Sequence, residues 1–403
     1  MLRHIQSSFQ GIPRAIWILS LVSLINRTGT MVVAFMTLYF IQFLHFSIPQ
    51  AGYASACFGA GGILGMYIGG VLTDKIGYYR VQLFSLMSGG TMFFVALNAH
   101  TFYAACAAVF VLALVSEAFR PANSVAVIFH SDEEVRTRSY SLLRVGVNMA
   151  VGLAFVVGGV LITYGWHWLF WVDGFASYGA AAIVFFLLKD ISTTQNTSKK
   201  TEPEDVTFSA YRDKDFLIFI FFTLIGAIVF MQLIWTVPLY FKTGYGWTEA
   251  QIGLAIGLNC AIVMCVEMPL IFKIENKKGK LWFVRLGLVC YIIAFSALIL
   301  PVNFALIAAL IHIVVISFGE VFIMPFSSNW ATTQAGTRRQ GQYMALYGMS
   351  YGVCNVVSPI LGTQIINAFG FNYLWLMLVV LSCVAWAGFY FLEKNTVKHR
   401  LRN

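Results

Sequence analysis

Residues 69–80 read GGVLTDKIGYYR and lie between two long apolar runs, near residues 50–72 and 79–98. Asp74 and Lys75 stand side by side in this stretch, and Arg80 follows closely. Each flanking run has about 20 residues, which is enough for a helix to cross the roughly 30 Å hydrocarbon core of a bilayer. The stretch therefore predicts a charged turn between two membrane-spanning helices.

The whole chain repeats this pattern. Of its 403 residues, 59% are hydrophobic and 11% are charged, whereas soluble domains carry about 25% charged residues. We predict an all-α membrane protein with twelve transmembrane helices. The twelve runs lie near residues 14–43, 50–72, 79–98, 101–129, 139–163, 168–188, 215–242, 248–273, 280–301, 304–330, 341–366 and 371–392.

Positive charge collects on one side of this arrangement. With both termini on the cytoplasmic side, that side receives 21 of the 26 lysines and arginines, and the outer connections hold only Lys242. Such asymmetry predicts a multi-pass protein of the plasma (inner) membrane with both termini cytoplasmic. It also accounts for the net charge of +9 without a nucleic-acid partner.

The chain divides into two similar halves. A polar stretch at 189–214 predicts a cytoplasmic linker between an N-terminal six-helix half (1–188) and a C-terminal six-helix half (215–403). SEAFRP in segment four corresponds to GEVFIMP in segment ten, so that Glu117 matches Glu320 at an offset of 203 residues. Arg136 and Arg339 match at the same offset, as do Tyr140 and Tyr343. Parallel six-helix repeats are typical of transporters that bind substrate between their halves.

GGVLTDKIGYYR also resembles the cytoplasmic loop of the major facilitator superfamily. Two positions that are usually basic are Tyr78 and Tyr79 here. The resemblance implies a monomeric secondary transporter that works by alternating access on a small-molecule substrate. It also implies a conformational latch, for which the alternative is a solvated turn. The latch would consist of Gly70, Asp74, Lys75, Gly77 and Arg80, with the two glycines allowing close helix approach and a tight turn.

Two subfamilies share features with this chain. GEVFIMP is similar to a pattern of drug:proton antiporters and of proton-dependent oligopeptide transporters, which carry a glutamate near a proline there. GVNMAVGLAFVVGGVL has the glycines but not the proline of the antiporters' segment five. LINRTGTMV is similar to helix one of the oligopeptide group but lacks its paired glutamates.

Several ionisable residues fall within the apolar runs. A charge inside the membrane is energetically costly, so each such residue is a candidate functional residue. Glu117 and Arg120 are three residues apart on one helical face, which predicts an ion pair, and Pro121 predicts a kink. Asp173 is expected to cap or pair locally, and Arg285 is expected to extend toward the membrane surface. We expect the deep charges to face a central hydrated cavity, although a structural salt-bridge network linking Glu117, Arg120 and Arg144 would explain them too.

Glu320 is the first candidate for proton coupling, because its half contains no other deep charge except Glu267. Glu117 and Glu267 are the further candidates, and a permanently protonated structural glutamate is the alternative. The remaining predicted cavity residues are polar or aromatic. Tyr343, Tyr347 and Tyr351 are spaced by four residues, which predicts a tyrosine stripe on one face of segment eleven, although helix packing is the more common explanation for such aromatic residues. The predicted substrate cavity comprises Asn26, Arg27, Arg120, Arg144, Asn148, Trp235 and Tyr347.

The preferred function is proton-coupled export of a small amphiphilic or drug-like compound. The alternatives are proton-coupled import of a peptide or other small polar metabolite and, in another class, a non-transporting membrane sensor. We expect no enzyme, cofactor or metal site, because the sequence contains no nucleotide-binding, hydrolase or metal-ligating motif. Without a nucleotide site, an ion gradient must supply the energy for transport.

Overall fold

The computed structural model describes residues 12–131, 133–188, 210–274, 277–335 and 340–400. Eleven helical spans within these residues are long and apolar enough to cross a membrane, and one of them, Phe102–His130, includes a turn at Ala118. Helices dominate because a backbone in hydrocarbon must satisfy its N–H and C=O groups internally. The predicted linker lies mostly outside the described residues, as do Arg338 and Arg339.

The helices follow the predicted runs closely. They are α1 (Arg14–Thr28), α2 (Met31–Ala34), α3 (Met36–Leu38), α4 (Ile48–Ile76), α5 (Tyr78–Leu97), α6 (Phe102–Glu117), α7 (Phe119–His130), α8 (Glu133–Ile162), α9 (His167–Leu187), α10 (Lys214–Trp235), α11 (Val237–Thr243), α12 (Glu249–Ile274), α13 (Lys280–Ala297), α14 (Ala305–Ala335), α15 (Gln340–Phe369) and α16 (Phe371–Arg400).

The first predicted segment is interrupted, which explains why eleven rather than twelve continuous spans are found. After Thr28 the backbone leaves the helix at Gly29 and Thr30, and the segment continues as α2, α3 and a π-helical turn at Tyr39–Phe43. A Cβ atom at Gly29 would lie 3.0 Å from that of Ala176 on α9. The break therefore brings the first segment close to α9.

Two further segments are interrupted at one residue near a proline, although each still forms a single span, Phe102–His130 and Lys214–Thr243. Segment four divides at Ala118 into α6 and α7, three residues before Pro121, as the predicted kink requires. Segment seven divides at Thr236, and Pro238 lies in the first turn of α11. The buried Gln232 side chain connects this second break to α15 by donating to the Ser358 carbonyl at 3.0 Å.

The described residues form two compact units. The first contains those up to Phe46, those from Tyr53 to Leu188, and Thr248–Gly257. The second contains Ser47–Gly52, the residues from Ala210 to Trp247, and those from Leu258 onward.

The two units repeat one packing plan. In the first unit α1 packs on α8 and α9, and α5 packs on α6 and α9. In the second unit α10 packs on α15 and α16, and α13 packs on α14 and α16. The pairs correspond segment for segment when six is added to each segment number. The internal repeat of the sequence is therefore also a repeat of helix packing.

One prediction about the glycines is wrong. A Cβ atom added to Gly70 meets nothing within 4 Å, so Gly70 is not a point of close helix approach. That approach is made by Gly61, Gly65 and Gly69, whose added Cβ atoms would lie 2.1, 2.3 and 2.6 Å from backbone atoms of segment four. The four-residue spacing places these three glycines on one face of α4, which was the signal in the sequence.

Gly77 forms the predicted tight turn. It follows the last residue of α4 with φ +84° and ψ 153°, a conformation that is nearly restricted to glycine. Its N–H donates to the Thr73 carbonyl at 3.0 Å and so completes the C-terminal turn of α4. The sharp reversal into α5 therefore depends on the absence of a side chain at this position.

Candidate functional site

Three charged side chains of the first unit form one cluster. Arg27 Nη1 lies 3.1 Å from Glu117 Oε1, and Arg120 Nε lies 2.7 Å from Glu117 Oε2. The predicted pair of Glu117 and Arg120 is thus present, but the partnership with Arg27 was not foreseen. One carboxylate compensates two guanidinium groups, which leaves the cluster with an excess of positive charge.

The helix breaks position this cluster. Arg27 lies in the last turn of α1, and Glu117 is the last residue of α6 before the break at Ala118. Arg120 lies in the first turn of α7 and reaches back to Glu117. The Arg27 and Glu117 side chains are 16% and 12% exposed, whereas Arg120 is 56% exposed. Water or headgroups can therefore screen the Arg120 pair more than the Arg27 pair.

An uncharged network adjoins the cluster one turn away. Asn123 of α7 donates to Ser23 Oγ of α1 at 3.0 Å and accepts from Gln82 of α5 at 3.2 Å. All three side chains are buried. Sequence reasoning missed this network because single neutral polar residues in an apolar run have no periodicity to expose them. The network fixes α1, α5 and α7 around the Arg27–Glu117 pair.

Asp173 stabilises the interruption of the first segment. Its carboxylate is fully buried and accepts the backbone N–H of Met31 at 3.2 Å and that of Val32 at 2.9 Å. These two amides begin α2 and have no partner within that helix. Asp173 therefore caps a helix, but the capped helix lies about 140 residues away in the chain, so the expectation of a local partner is wrong. Because Arg27 precedes the same break, Asp173 also helps to position Arg27.

Segment five contributes a less buried polar face. The Tyr140 hydroxyl donates to the Ser124 carbonyl at 3.2 Å, which joins segment five to segment four. Arg144 is exposed, and Asn148 and Asn26 are half-buried. The place of Arg144 in the predicted salt-bridge network stays a prediction.

In the second unit, Glu320 lies half-buried on α14 beside neutral polar groups. Asn259 Nδ2 of α12 is 3.5 Å from Glu320 Oε2 and donates to Ser317 Oγ at 2.9 Å. Ser317 precedes Glu320 by three residues and shares its helical face. The Cys260 thiol is also close enough to interact electrostatically with Glu320. Glu320 therefore occupies the position of Glu117 in the repeat but has a different set of neighbours.

A group of tyrosines lies near Glu320. The Tyr347 and Tyr351 hydroxyl oxygens are 3.3 Å apart on α15, and both interact electrostatically with Tyr291 of α13. The Tyr291 ring packs against Gly319, next to Glu320, and its buried hydroxyl has no hydrogen-bond partner among the described residues. Sequence reasoning missed Tyr291, which stands alone in an apolar run.

The other aromatic candidates pack in the protein. Tyr343 was predicted to continue the stripe of Tyr347 and Tyr351, but its hydroxyl donates to Asp213 Oδ2 at 2.9 Å. Trp235 is only 2% exposed, and its indole N–H has no partner among the described residues. Packing therefore explains Tyr343, while the substrate role of Trp235 and Tyr347 stays a prediction.

Glu267 and Arg285 are two further charged side chains within the second unit, and the coupling role of Glu267 stays a prediction. Glu267 is 8% exposed on α12, two residues before Pro269. Arg285 does not extend alone toward the membrane surface, because its guanidinium pairs with Glu393 of α16. Its Cζ also lies 5.5 and 5.2 Å from the ring centroids of Trp386 and Tyr390. The paired carboxylate and aromatic faces compensate this charge inside the second unit.

The charged residues of the turn after α4 are accessible. Asp74, Lys75 and Arg80 are all exposed. The structure gives none of them an ion pair within the described parts of the chain. Their role as a latch stays a prediction.

Comparison with known proteins identifies the class. The family model of the Major Facilitator Superfamily matches residues 16–357, so the chain belongs to that superfamily. The MFS-type transporter YttB of Bacillus subtilis (strain 168) is 22% identical over 386 residues, with 93% of this chain and 94% of the relative covered. A Na(+), Li(+), K(+)/H(+) antiporter of Planococcus maritimus is 21% identical over 417 residues, with 92% and 95% covered.

Solved structures confirm the fold. A crystal structure of a mutant peptide transporter POT in complex with alafosfalin superposes with a TM-score of 0.78 at 16% identity, covering 97% of this chain and 98% of that one. The predicted all-α membrane fold and the resemblance to the superfamily are both confirmed. The chain is a multi-pass membrane transporter of the secondary type and not an enzyme.

Proposed function

We propose that this chain is a proton-coupled secondary transporter in which Glu320 carries the proton and an amphiphilic compound is exported. The observation that carries the proposal is the contrast between the two equivalent glutamates. Glu117 lies between two guanidinium groups, which already compensate its charge. The neighbours of Glu320 include the amide of Asn259, the thiol of Cys260 and the hydroxyl of Tyr291, all of them neutral groups.

Neutral neighbours suit a group that gains and loses a proton. An amide or hydroxyl can hydrogen-bond to a carboxylate or to a carboxylic acid, so either form of Glu320 can be accommodated. Protonation removes the charge and lowers the cost of enclosing the side chain in an apolar environment. This makes the protonation of Glu320 a suitable trigger for alternating access. Glu117 and Glu267 are the next candidates.

The preference for an amphiphilic cargo is based on the aromatic side chains around Tyr347. Its ring stacks near Phe219, with ring centroids 6.3 Å apart, while its hydroxyl contacts that of Tyr351. An aromatic cluster of this kind combines apolar side chains with hydrogen-bonding groups. The relative from Planococcus maritimus is named as an antiporter, which agrees with exchange of protons for cargo. The positive-inside distribution supports placement in the plasma membrane with both termini cytoplasmic.

Import of a small polar metabolite or peptide by symport is the second candidate. It is favoured by the excess positive charge of the Arg27–Glu117–Arg120 cluster, which suits a carboxylate group on the cargo. The two candidates move protons in different directions relative to cargo. They are therefore distinguishable with one assay.

The test uses purified protein in liposomes with a pH-sensitive dye inside. Ethidium serves as the amphiphilic probe and dialanine as the peptide probe, each added with and without an imposed pH gradient. We expect ethidium to exchange against protons, and we expect Glu320→Gln to abolish gradient-driven accumulation. Glu249→Gln, at the start of α12, is the matched control and should retain it. Proton influx together with dialanine would favour symport, and full activity of Glu320→Gln would reject Glu320 as the carrier.

A further inference from the structure

An open apolar groove runs between α5 and α9 in the first unit. Its volume is about 570 Å³. Small alanine side chains on α9 form part of its lining, and larger apolar side chains form the rest. The groove is lined chiefly by Leu83, Phe84 and Met87 of α5 and by Ala181, Ala182 and Phe185 of α9. Both helices are long and apolar enough to span the membrane.

Large apolar side chains at this groove are uncovered. Phe84 is 59% exposed, Met87 is 51% exposed and Phe186 is 75% exposed. Exposed apolar area of this extent on a membrane-spanning helix is suited to hydrocarbon rather than to water. The occupant of the groove is therefore itself apolar along most of its length.

The two ends of the groove differ in chemistry. At one end the Tyr178 and Thr91 hydroxyl oxygens are 2.9 Å apart, and the Phe94 ring lies 6.0 Å from that of Tyr178. These contacts join α5 to α9 and close that end. At the other end Arg80 precedes Phe84 by four residues and Met87 by seven, which places it on the same helical stripe. Arg80 is exposed and has no ion pair within the described residues.

The length of the groove decides between possible occupants. Arg80 and Thr91 are eleven residues apart on one helix, which corresponds to about 16 Å at 1.5 Å per residue. This is about half of the roughly 30 Å hydrocarbon core, that is, one leaflet. A transmembrane helix of another protein would need an apolar contact along the full thickness, whereas a phospholipid occupies one leaflet.

We propose that this groove binds one acyl chain of an anionic phospholipid whose phosphate pairs with Arg80. The apolar wall would hold the chain, the Tyr178–Thr91 contact would limit its depth, and the guanidinium would select headgroups with net negative charge. One basic residue near the headgroups gives about a fivefold preference for anionic lipid. The site is separate from the Arg27–Glu117–Arg120 cluster and from Glu320, so it does not depend on the proposed function.

Native mass spectrometry of the full-length chain in mild detergent tests the proposal. Phosphatidylglycerol and phosphatidylcholine with identical acyl chains are offered in equal amounts. We expect one phospholipid to remain bound, with phosphatidylglycerol preferred about fivefold. Arg80→Gln should reduce that preference to none while leaving phosphatidylcholine bound as before. Ala182→Trp, which fills the groove from an exposed position, should reduce binding of both lipids.

Matched variants separate this site from general effects. Arg14→Gln removes another exposed cation, and Leu310→Trp adds an indole at another exposed apolar position. Both should bind lipid like the parent chain. Equal lipid binding by the parent, Arg80→Gln and Ala182→Trp chains would overturn the proposal. It would also be overturned if the parent chain were a dimer that Ala182→Trp dissociates, because a second copy would then cover the groove.

Discussion

Arg27 and Glu117 are 90 residues apart in the chain, and their side chains meet at 3.1 Å between Nη1 and Oε1. The contact joins the end of α1 to the end of α6, at two places where a helix is interrupted. In each case the regular helix ends within one or two residues of the charged side chain. The geometry of the ion pair therefore depends on the two helix interruptions. A substitution that changes either interruption should also change the Arg27–Glu117 contact.

We expect Glu117→Gln to be the most destabilising change in the Arg27–Glu117–Arg120 cluster. It leaves two guanidinium groups near each other without a compensating charge, which should cost on the order of 3 kcal/mol. Arg27→Gln leaves Glu117 paired with Arg120 and should cost less. Arg120→Gln removes the exposed partner and should cost about 1 kcal/mol or less. Thermal unfolding in detergent would give this order, and an equal effect of all three would contradict it.

Asp173 should be needed for the structure of the first segment. Asp173→Ala leaves the Met31 and Val32 amides without an acceptor, at about 1–3 kcal/mol for each buried N–H. Asp173→Asn retains one carbonyl oxygen and should show a smaller loss. Hydrogen exchange measured by mass spectrometry should report faster exchange at residues 31 and 32 in both variants. Ser177→Ala, one turn along α9, is the control, since among the described residues its hydroxyl donates only to the Asp173 carbonyl within that helix. Unchanged exchange in Asp173→Ala would show that the cap is dispensable.

Gly65, on the close-packed glycine face of α4, and Gly70, which lies outside that face, should respond differently to alanine substitution. A Cβ atom at residue 65 would lie 2.3 Å from the Leu114 carbonyl oxygen, so Gly65→Ala must push the two helices apart. We expect a loss of about 3 kcal/mol. Gly70→Ala has open space around it and should be neutral or stabilising by up to about 1 kcal/mol, since alanine favours the helix. Thermal midpoints of the two variants would test this, and equal losses would refute it.

Asp74 remains a prediction as part of a latch, and it can be tested separately. We expect Asp74→Asn to shift the transporter toward inward access, because the substitution removes a charge that is expected to hold the outward-open state. Distances between spin labels on the cytoplasmic loops would report the shift. Lys75→Gln tests whether the neighbouring charge acts in the same way. An unaltered distance distribution in Asp74→Asn would leave Asp74 as a solvated turn residue.

The sequence predicted the fold because the bilayer imposes simple rules. Run length predicted the spans, and Gly77 predicted the tight turn after α4. The match of Glu117 with Glu320 at an offset of 203 residues predicted the repeat. The i,i+3 spacing of Glu117 and Arg120 was sufficient to predict their pair, because neighbours on one helix meet whatever else the chain does. These inferences required only local geometry and the properties of the solvent.

Other relationships required the tertiary structure. Arg27 reaches Glu117, Asp173 caps α2, and Tyr291 lies beside Gly319, next to Glu320, only because separate helices pack side by side. Gly69 rather than Gly70 makes the close approach because rotation of α4 about its axis is set by its neighbour, and adjacent residues in a helix point about 100° apart. Local pattern thus determined which segments are helices. Packing alone decided which of their faces meet, since that choice is made by side-chain shape and charge across helices that are distant in sequence.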